Sequence, residues 1–139
     1  MLQQTQVERV LGKYKVFVKT FPDFSSLAAA PLNDILKVWQ GLGYNRRAIA
    51  LQRIALTVME ENHGRLPVSR EDLLKLPGIG KYTASAILTF AHNQPQVFIE
   101  TNIRRVFIHC FFQERDNIAD TEIMPLIEKT LDSSDPREW

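Results

Sequence analysis

The sequence predicts an all-α fold. Apolar residues recur at helical spacing in successive segments, and each segment is closed by a proline, a glycine or a capping residue. The single strand-like run, Val97-Phe98-Ile99, has no partner strand anywhere in the chain.

The first segment, Met1–Phe21, carries apolar residues at Val7, Val10, Leu11, Tyr14, Phe17 and Val18, and Pro22 stops it. Its opening, Gln3, Gln4, Thr5 and Gln6, is polar for a first turn. A solvated helix start accounts for it; glutamine amides can also probe base edges or fill a vacated base position. Ser25 is expected to cap a short helical piece, Ser26–Ala30. Pro31 opens the next, Leu32–Gln40, with Leu32, Ile35, Leu36 and Trp39 inward. Gly41-Leu42-Gly43 breaks the pattern before a long helix from about Tyr44 to His63, striped by Ile49, Leu51, Ile54, Ala55, Val58 and Met59. Gly64 takes its C-terminal cap. Ser69 with Asp72 reads as a capping box for Arg70–Lys75.

Leu76–Leu88, LPGIGKYTASAIL, sets two glycines after a proline and before an alanine-rich helix. Glycine permits φ > 0 and close backbone approach. The helix beginning near Lys81 turns its first N–H groups back toward that turn, which suits an anion such as phosphate. From Gly-x-Gly alone, an ordinary tight turn between packed helices is the better account. A dinucleotide-binding turn fits poorly, because Glu71–Leu76 reads as helix and not strand.

Helix Lys81–His92 is apolar on several sides (Ala84, Ala86, Ile87, Leu88, Phe90), which predicts the central buried helix, and Asn93–Pro95 ends it. Val97–Ile99 reads as an extended buried connection. Helices Asn102–Phe112 and Asp120–Leu131 follow; Pro125 inside the second implies a kink or a later start. Asp135-Pro136 places an N-cap before proline at a first helical position, so a helix is expected to begin there. The chain is therefore expected to be a piece of a larger unit, trimmed at both ends.

With 139 residues, 45% of them hydrophobic and 24% charged, the chain fits one globular domain. A net charge of +1 does not announce a polyanion partner, but only the contacting face must be basic. Arg46, Arg47 and Arg53 cluster, as do Arg104 and Arg105. The lone Cys110 excludes an internal disulfide and an all-cysteine metal site, and is compatible with a reducing, intracellular setting. Cys110 is expected in the core, and His109 as packed or solvated, with no second ligand spaced for it. No apolar run reaches membrane-spanning length, and the N-terminus lacks a signal-peptide pattern.

Four stretches occur together: MLQQTQV at the start, WQGLGY from Trp39, the helix–hairpin–helix of Arg70–His92, and IETNIRRV from Ile99. Their order and spacing resemble the helix–hairpin–helix (HhH-GPD) DNA glycosylase superfamily over essentially the whole chain. MLQQTQV and GLGY are closest to its adenine-specific branch, which removes adenine mispaired with oxidised guanine. The resemblance implies a six-helix-barrel region that hydrolyses the N-glycosidic bond of a base flipped from double-stranded DNA, with water as nucleophile. It implies Gln3 or Gln4 and Tyr44 as gap-filling and wedging residues, and Gly78, Gly80 and Lys81 as a phosphate clamp. Leu76, Thr83 and Asn102 complete the implied DNA-binding set. Arg46 and Arg47 serve as backbone contacts or as a solvated arginine pair.

The family's general acid lies just upstream of MLQQTQV, outside this chain. Glu100 aligns with the family's second carboxylate, an aspartate that stabilises the oxocarbenium-like transition state; an acid favoured by a helix N-terminus is the other account of it. Tyr82 takes the position of the lysine nucleophile of bifunctional relatives, which argues against strong lyase activity and also resembles the thymine–guanine mismatch branch. A DNA-binding module without chemistry is a further alternative. The resemblance implies no cofactor within these residues, an iron–sulfur cluster in a longer parent protein, and room for a monovalent cation at the hairpin. It also implies a monomer without a membrane partner, placed with DNA in the cytoplasm, nucleoid or nucleus.

Overall fold

A computed structural model of the protein describes residues 1, 5–113, 115 and 117–139. Among these the chain forms eight α-helices and no strand. They are α1 (Val7–Thr20), α2 (Phe24–Ala29), α3 (Leu32–Trp39), α4 (Arg46–Glu61), α5 (Arg70–Lys75), α6 (Lys81–His92), α7 (Thr101–Phe111) and α8 (Asp120–Thr130). Gln3 and Gln4 lie outside the described residues.

Helix ends follow from local chemistry. α1 begins at Val7, because Gln6 is extended at φ −63°, ψ 145°. α2 begins before the expected Ser26, because Asp23 and not Ser25 caps it. The Asp23 carboxylate accepts from the Ser26 N–H at 2.7 Å, and the Ser26 hydroxyl accepts from the Asp23 N–H at 3.3 Å. α4 begins at Arg46, since Gly43 (φ +69°) and Tyr44 (φ +49°) both lie in the left-handed region and carry the break past the expected start. The Ser69 hydroxyl accepts from the Asp72 N–H at 3.1 Å and donates to the Asp72 carboxylate at 2.7 Å, closing the start of α5. α8 runs from Asp120 straight through Pro125, so the later start is not taken.

The chain divides into two compact units, residues 1–67 with 75–78 and residues 68–74 with 79–139. The core of the first gathers Val10, Phe17, Phe21, Leu27, Ile35, Trp39, Leu42, Ala48 and Ala55. Phe17 sets its ring edge-on to Phe21 and Trp39, with centroids 5.1 and 5.9 Å apart. The Gln52 amide donates to the Ala30 carbonyl at 2.8 Å and ties α4 to the end of α2. Only Val10 and Phe17 of the α1 stripe are buried; Val7, Leu11, Tyr14 and Val18 remain exposed.

In the second unit Phe107, Ile118, Ile123 and Ile127 form a core, with Val97, Ile99 and Ile103 packed on it. The 97–99 segment is the extended connection that the sequence suggested, half-buried and not buried. Arg104 fastens α7 to the start of α8 through the Asp120 carboxylate and the Ile118 carbonyl. Two burial expectations need correction. α6 buries Ala84, Ser85, Leu88 and Thr89 along one face, whereas Phe90 is exposed, about 100° round the helix from Thr89. Cys110 is exposed and not core, because the inward face of α7 is centred on Ile103, Phe107 and Ile108.

Candidate nucleic-acid interface

In the first unit the loop after α3 is built to present Tyr44. Trp39, at 2% exposure, donates its indole N–H to the Gly43 carbonyl at 3.0 Å, and Leu42 is buried beneath the turn. Gly41 at φ +92° and Gly43 at φ +69° carry backbone that L side chains rarely adopt. Tyr44 follows in the same region and remains half exposed.

Arg47 holds this loop together. Its guanidinium donates to the carbonyls of Met1 and Leu42 at 3.0 Å, to that of Gly43 at 3.3 Å, and to the Thr5 hydroxyl at 3.0 Å. The Thr5 hydroxyl in turn donates to the Leu42 carbonyl at 3.2 Å. The same guanidinium lies 5.5 Å from the Trp39 ring centroid and 5.4 Å from that of Tyr44. Met1, Thr5 and the GLGY loop are therefore joined through Arg47. Arg47 is a half-buried organiser of that assembly and not a solvated partner of Arg46. Arg46 is exposed, its guanidinium 5.8 Å from the Tyr44 ring centroid. Thr5 and the organising role of Arg47 escaped the sequence reading, although Thr5 sits inside MLQQTQV and a planar fork beside three carbonyls is what arginine suits.

The hairpin glycines differ in kind. Gly78 has φ +79°, and a Cβ there would stand 2.9 Å from the Ala50 Cβ, so only glycine fits. Leu76 is buried at 4% exposure; its side chain is packing, leaving only its backbone for any ligand. Gly80 is the N-cap of α6 with ordinary φ −94° and ψ 177°, and a Cβ there would meet nothing within 4 Å. No side chain caps α6 at that end. The open glycine, the helix start and exposed Lys81 make a surface that admits an anion close to the backbone. Thr83 is half-buried one turn in.

In the second unit the two residues aligned with family catalytic positions come together. Glu100 is the N-cap of α7: its Oε1 accepts from the N–H of Asn102 at 2.6 Å and of Ile103 at 2.8 Å. Tyr82 is 40% exposed and sets its ring edge-on to Phe98 at 5.6 Å. Its hydroxyl is held protonated above the usual 10.0, first by burial and second by the negative charge of Glu100. Asn102 and His109 are exposed. No group of three or more His, Cys, Asp or Glu among the described residues is placed to hold a metal ion, and the exposed Cys110 offers one thiol where an iron–sulfur cluster needs several. These residues do not fit such a cluster.

Comparison with known proteins gives this arrangement a family. The chain is 41% identical over 136 residues to the adenine DNA glycosylase of Buchnera aphidicola subsp. Baizongia pistaciae, covering 98% of this chain and 38% of that protein. It thus spans less than half the length of that relative. The solved structure of a thermostable thymine-DNA glycosylase superposes with a TM-score of 0.84 at 28% identity, over 99% of this chain and 64% of that one. A trapped endonuclease III–DNA covalent intermediate shares the fold at TM-score 0.79 and 22% identity, over 99% of this chain and 63% of that one. The family model for HhH-GPD superfamily base excision DNA repair proteins matches residues 1–132. With that match, the GLGY loop and the glycine hairpin on one chain, the protein belongs to the HhH-GPD superfamily of base excision DNA repair proteins.

Proposed function

We propose that this chain is the core of a monofunctional DNA N-glycosylase that removes a mispaired base, most specifically adenine opposite 8-oxoguanine or guanine. The observation that carries it is 41% identity with an adenine DNA glycosylase across 98% of the chain. The thymine-DNA glycosylase, at 28% identity, supports thymine opposite guanine less well.

Extruding a base from a duplex costs a few kcal/mol, and the protein must hold the strand while the gap is open. Tyr44, raised on its left-handed loop, is the wedge, and Gln3 or Gln4 is the gap filler. Gly78, Gly80 and Lys81 hold a backbone phosphate, with Asn102 and Thr83 as further contacts and exposed Arg46 as a backbone contact. A monovalent cation at the hairpin belongs to the same reading. Glu100 would face the positive charge that develops on the sugar as the glycosidic bond breaks, and water would add to it. In a longer parent protein the acid that protonates the leaving base would lie just upstream of the MLQQTQV stretch, and any iron–sulfur cluster would be held by cysteines downstream of Trp139. With tyrosine where bifunctional relatives have lysine, no Schiff base forms. The protein would act as a monomer on DNA inside the cell, in the nucleoid or nucleus; no helix among the described residues is long and apolar enough to cross a membrane.

One observation favours a second reading, a DNA-binding module without chemistry: Oε1 of Glu100 is already engaged by two N–H groups of α7. Single-turnover assays on duplexes with adenine opposite 8-oxoguanine, paired with gel shifts, separate the two. The enzyme reading expects base release that Glu100→Gln lowers by at least about a hundredfold at unchanged affinity. Tight binding without release from the full-length parent protein would sink it.

A further inference from the structure

We propose that a groove in the first unit, running from the GLGY loop along α1, holds a stretch of DNA phosphodiester backbone through Arg9, Lys13 and Lys37. The inference rests on the DNA-repair reading above and extends it to residues which the family resemblance does not assign.

A cleft of about 1080 Å³ opens beside Tyr44 and is lined by Gln6, Arg9, Asn33, Lys37 and Gln40. A second of about 500 Å³ continues along α1 past Gly12, Lys13 and Val16. Arg9 and Lys37 line both, so the two clefts adjoin along α1 and we treat them as one channel. Among the described residues, no carboxylate lines either part. Arg9 and Lys13, with Lys37 paired to Asp34 at the edge, make a locally basic strip that the net charge of +1 conceals.

The side chains suit a regularly spaced polyanion. Arg9 and Lys13 are one helical turn apart, a rise of about 6 Å, so both can reach the same run of phosphates on one strand. Lys13 is half-buried, and its Cε lies 4.0 Å from where a Cβ on Gly41 would be. Its stem therefore crosses the glycine turn and delivers the ammonium to the channel. A Cβ on Gly12 would meet nothing within 4 Å, which leaves the backbone of the channel open to close approach. Lys37 pairs with Asp34 at 2.8 Å, but both side chains are largely exposed, at 76% and 52%, and such a pair gives way readily to a better anion. At the Tyr44 end the amides of Gln6, Asn33, Gln40 and Asn45 offer donors and acceptors suited to sugar and base edges. That continuity with the wedge loop, and a channel open along its length, favour a nucleic-acid strand over an acidic peptide.

The test is duplex binding by fluorescence anisotropy across a salt series, with the whole chain. Arg9→Gln/Lys13→Gln is compared with Lys15→Gln/Lys19→Gln, which makes the same charge change at exposed α1 positions outside the channel. The channel variant is expected to lose about tenfold in affinity, with the salt slope shallower by about 1.8, two phosphate contacts' worth. The control should move by less than half as much, and both should keep the wild-type circular dichroism. If the two variants behave alike while wild type binds, the channel assignment falls and the DNA reading stands. If wild type does not hold duplex DNA at low salt, both fall. Displacement of DNA by polyglutamate as readily as by unlabelled duplex would overturn the choice of nucleic acid.

Discussion

A methyl group on Gly78 would stand 2.9 Å from the Ala50 Cβ, on backbone at φ +79°, while one on Gly80 would meet nothing within 4 Å. Gly78→Ala should therefore lower the unfolding free energy by about 1–3 kcal/mol in urea denaturation. Gly80→Ala should change it by less than about 1 kcal/mol, the difference between glycine and alanine as an N-cap, yet weaken duplex binding where a phosphate approaches. Tyr82 makes a prediction in pH. Burial, and then the charge of Glu100, raise its folded-state pKa above 10.0, so the unfolded chain ionises first. The stability owed to this group is complete below pH 10.0 and is lost as pH rises through the folded-state value. Tyr82→Phe should flatten the alkaline fall of the melting temperature, and Glu100→Gln should return part of the Tyr82 titration toward normal, read by tyrosinate absorbance.

At the scale of elements, Pro125 lacks the N–H that would reach the Thr121 carbonyl within α8. Pro125→Ala should raise stability by about 1–3 kcal/mol, seen as a higher melting temperature. The GLGY loop depends on the arginine fork: Arg47→Lys retains the charge but cannot serve three carbonyls and a hydroxyl together. It should cost about 1–3 kcal/mol and shift the fluorescence of buried Trp39. α5 and α6 were legible to the residue, because a serine cap, a proline–glycine turn and Asn93 at φ +52° mark their ends. The cap of α2 was not, since Asp23 and Ser25 are equally good acceptors in sequence and only geometry chooses. Cys110 misled because hydrophobicity does not report on which side of α7 a residue falls. Glu100 carried two readings, and the structure shows the capping one, made entirely through Oε1.

At the scale of the molecule, the proposed clamp and channel would draw DNA affinity from a few local charges on a chain close to neutral, so salt slope should report more than affinity. Residues 75–78 cluster with the first unit although the chain on both sides clusters with the second. Cutting after residue 67 would thus remove from the first unit the segment that contains Gly78. The close approach of Gly78 to Ala50 has a consequence for how the chain can change. The two positions share one volume, so neither can be judged alone. Ala50→Gly by itself should cost about 1 kcal/mol as a glycine inside α4. Combined with Gly78→Ala it should recover the steric part of that variant's loss and leave the part owed to φ. A double-mutant cycle should show favourable coupling of about 1 kcal/mol, and strict additivity would mean that the contact does not constrain the hairpin. Drift at Ala50 toward any larger residue is closed while the hairpin is held, and the route to a different hairpin begins with a smaller residue on the helix beneath it.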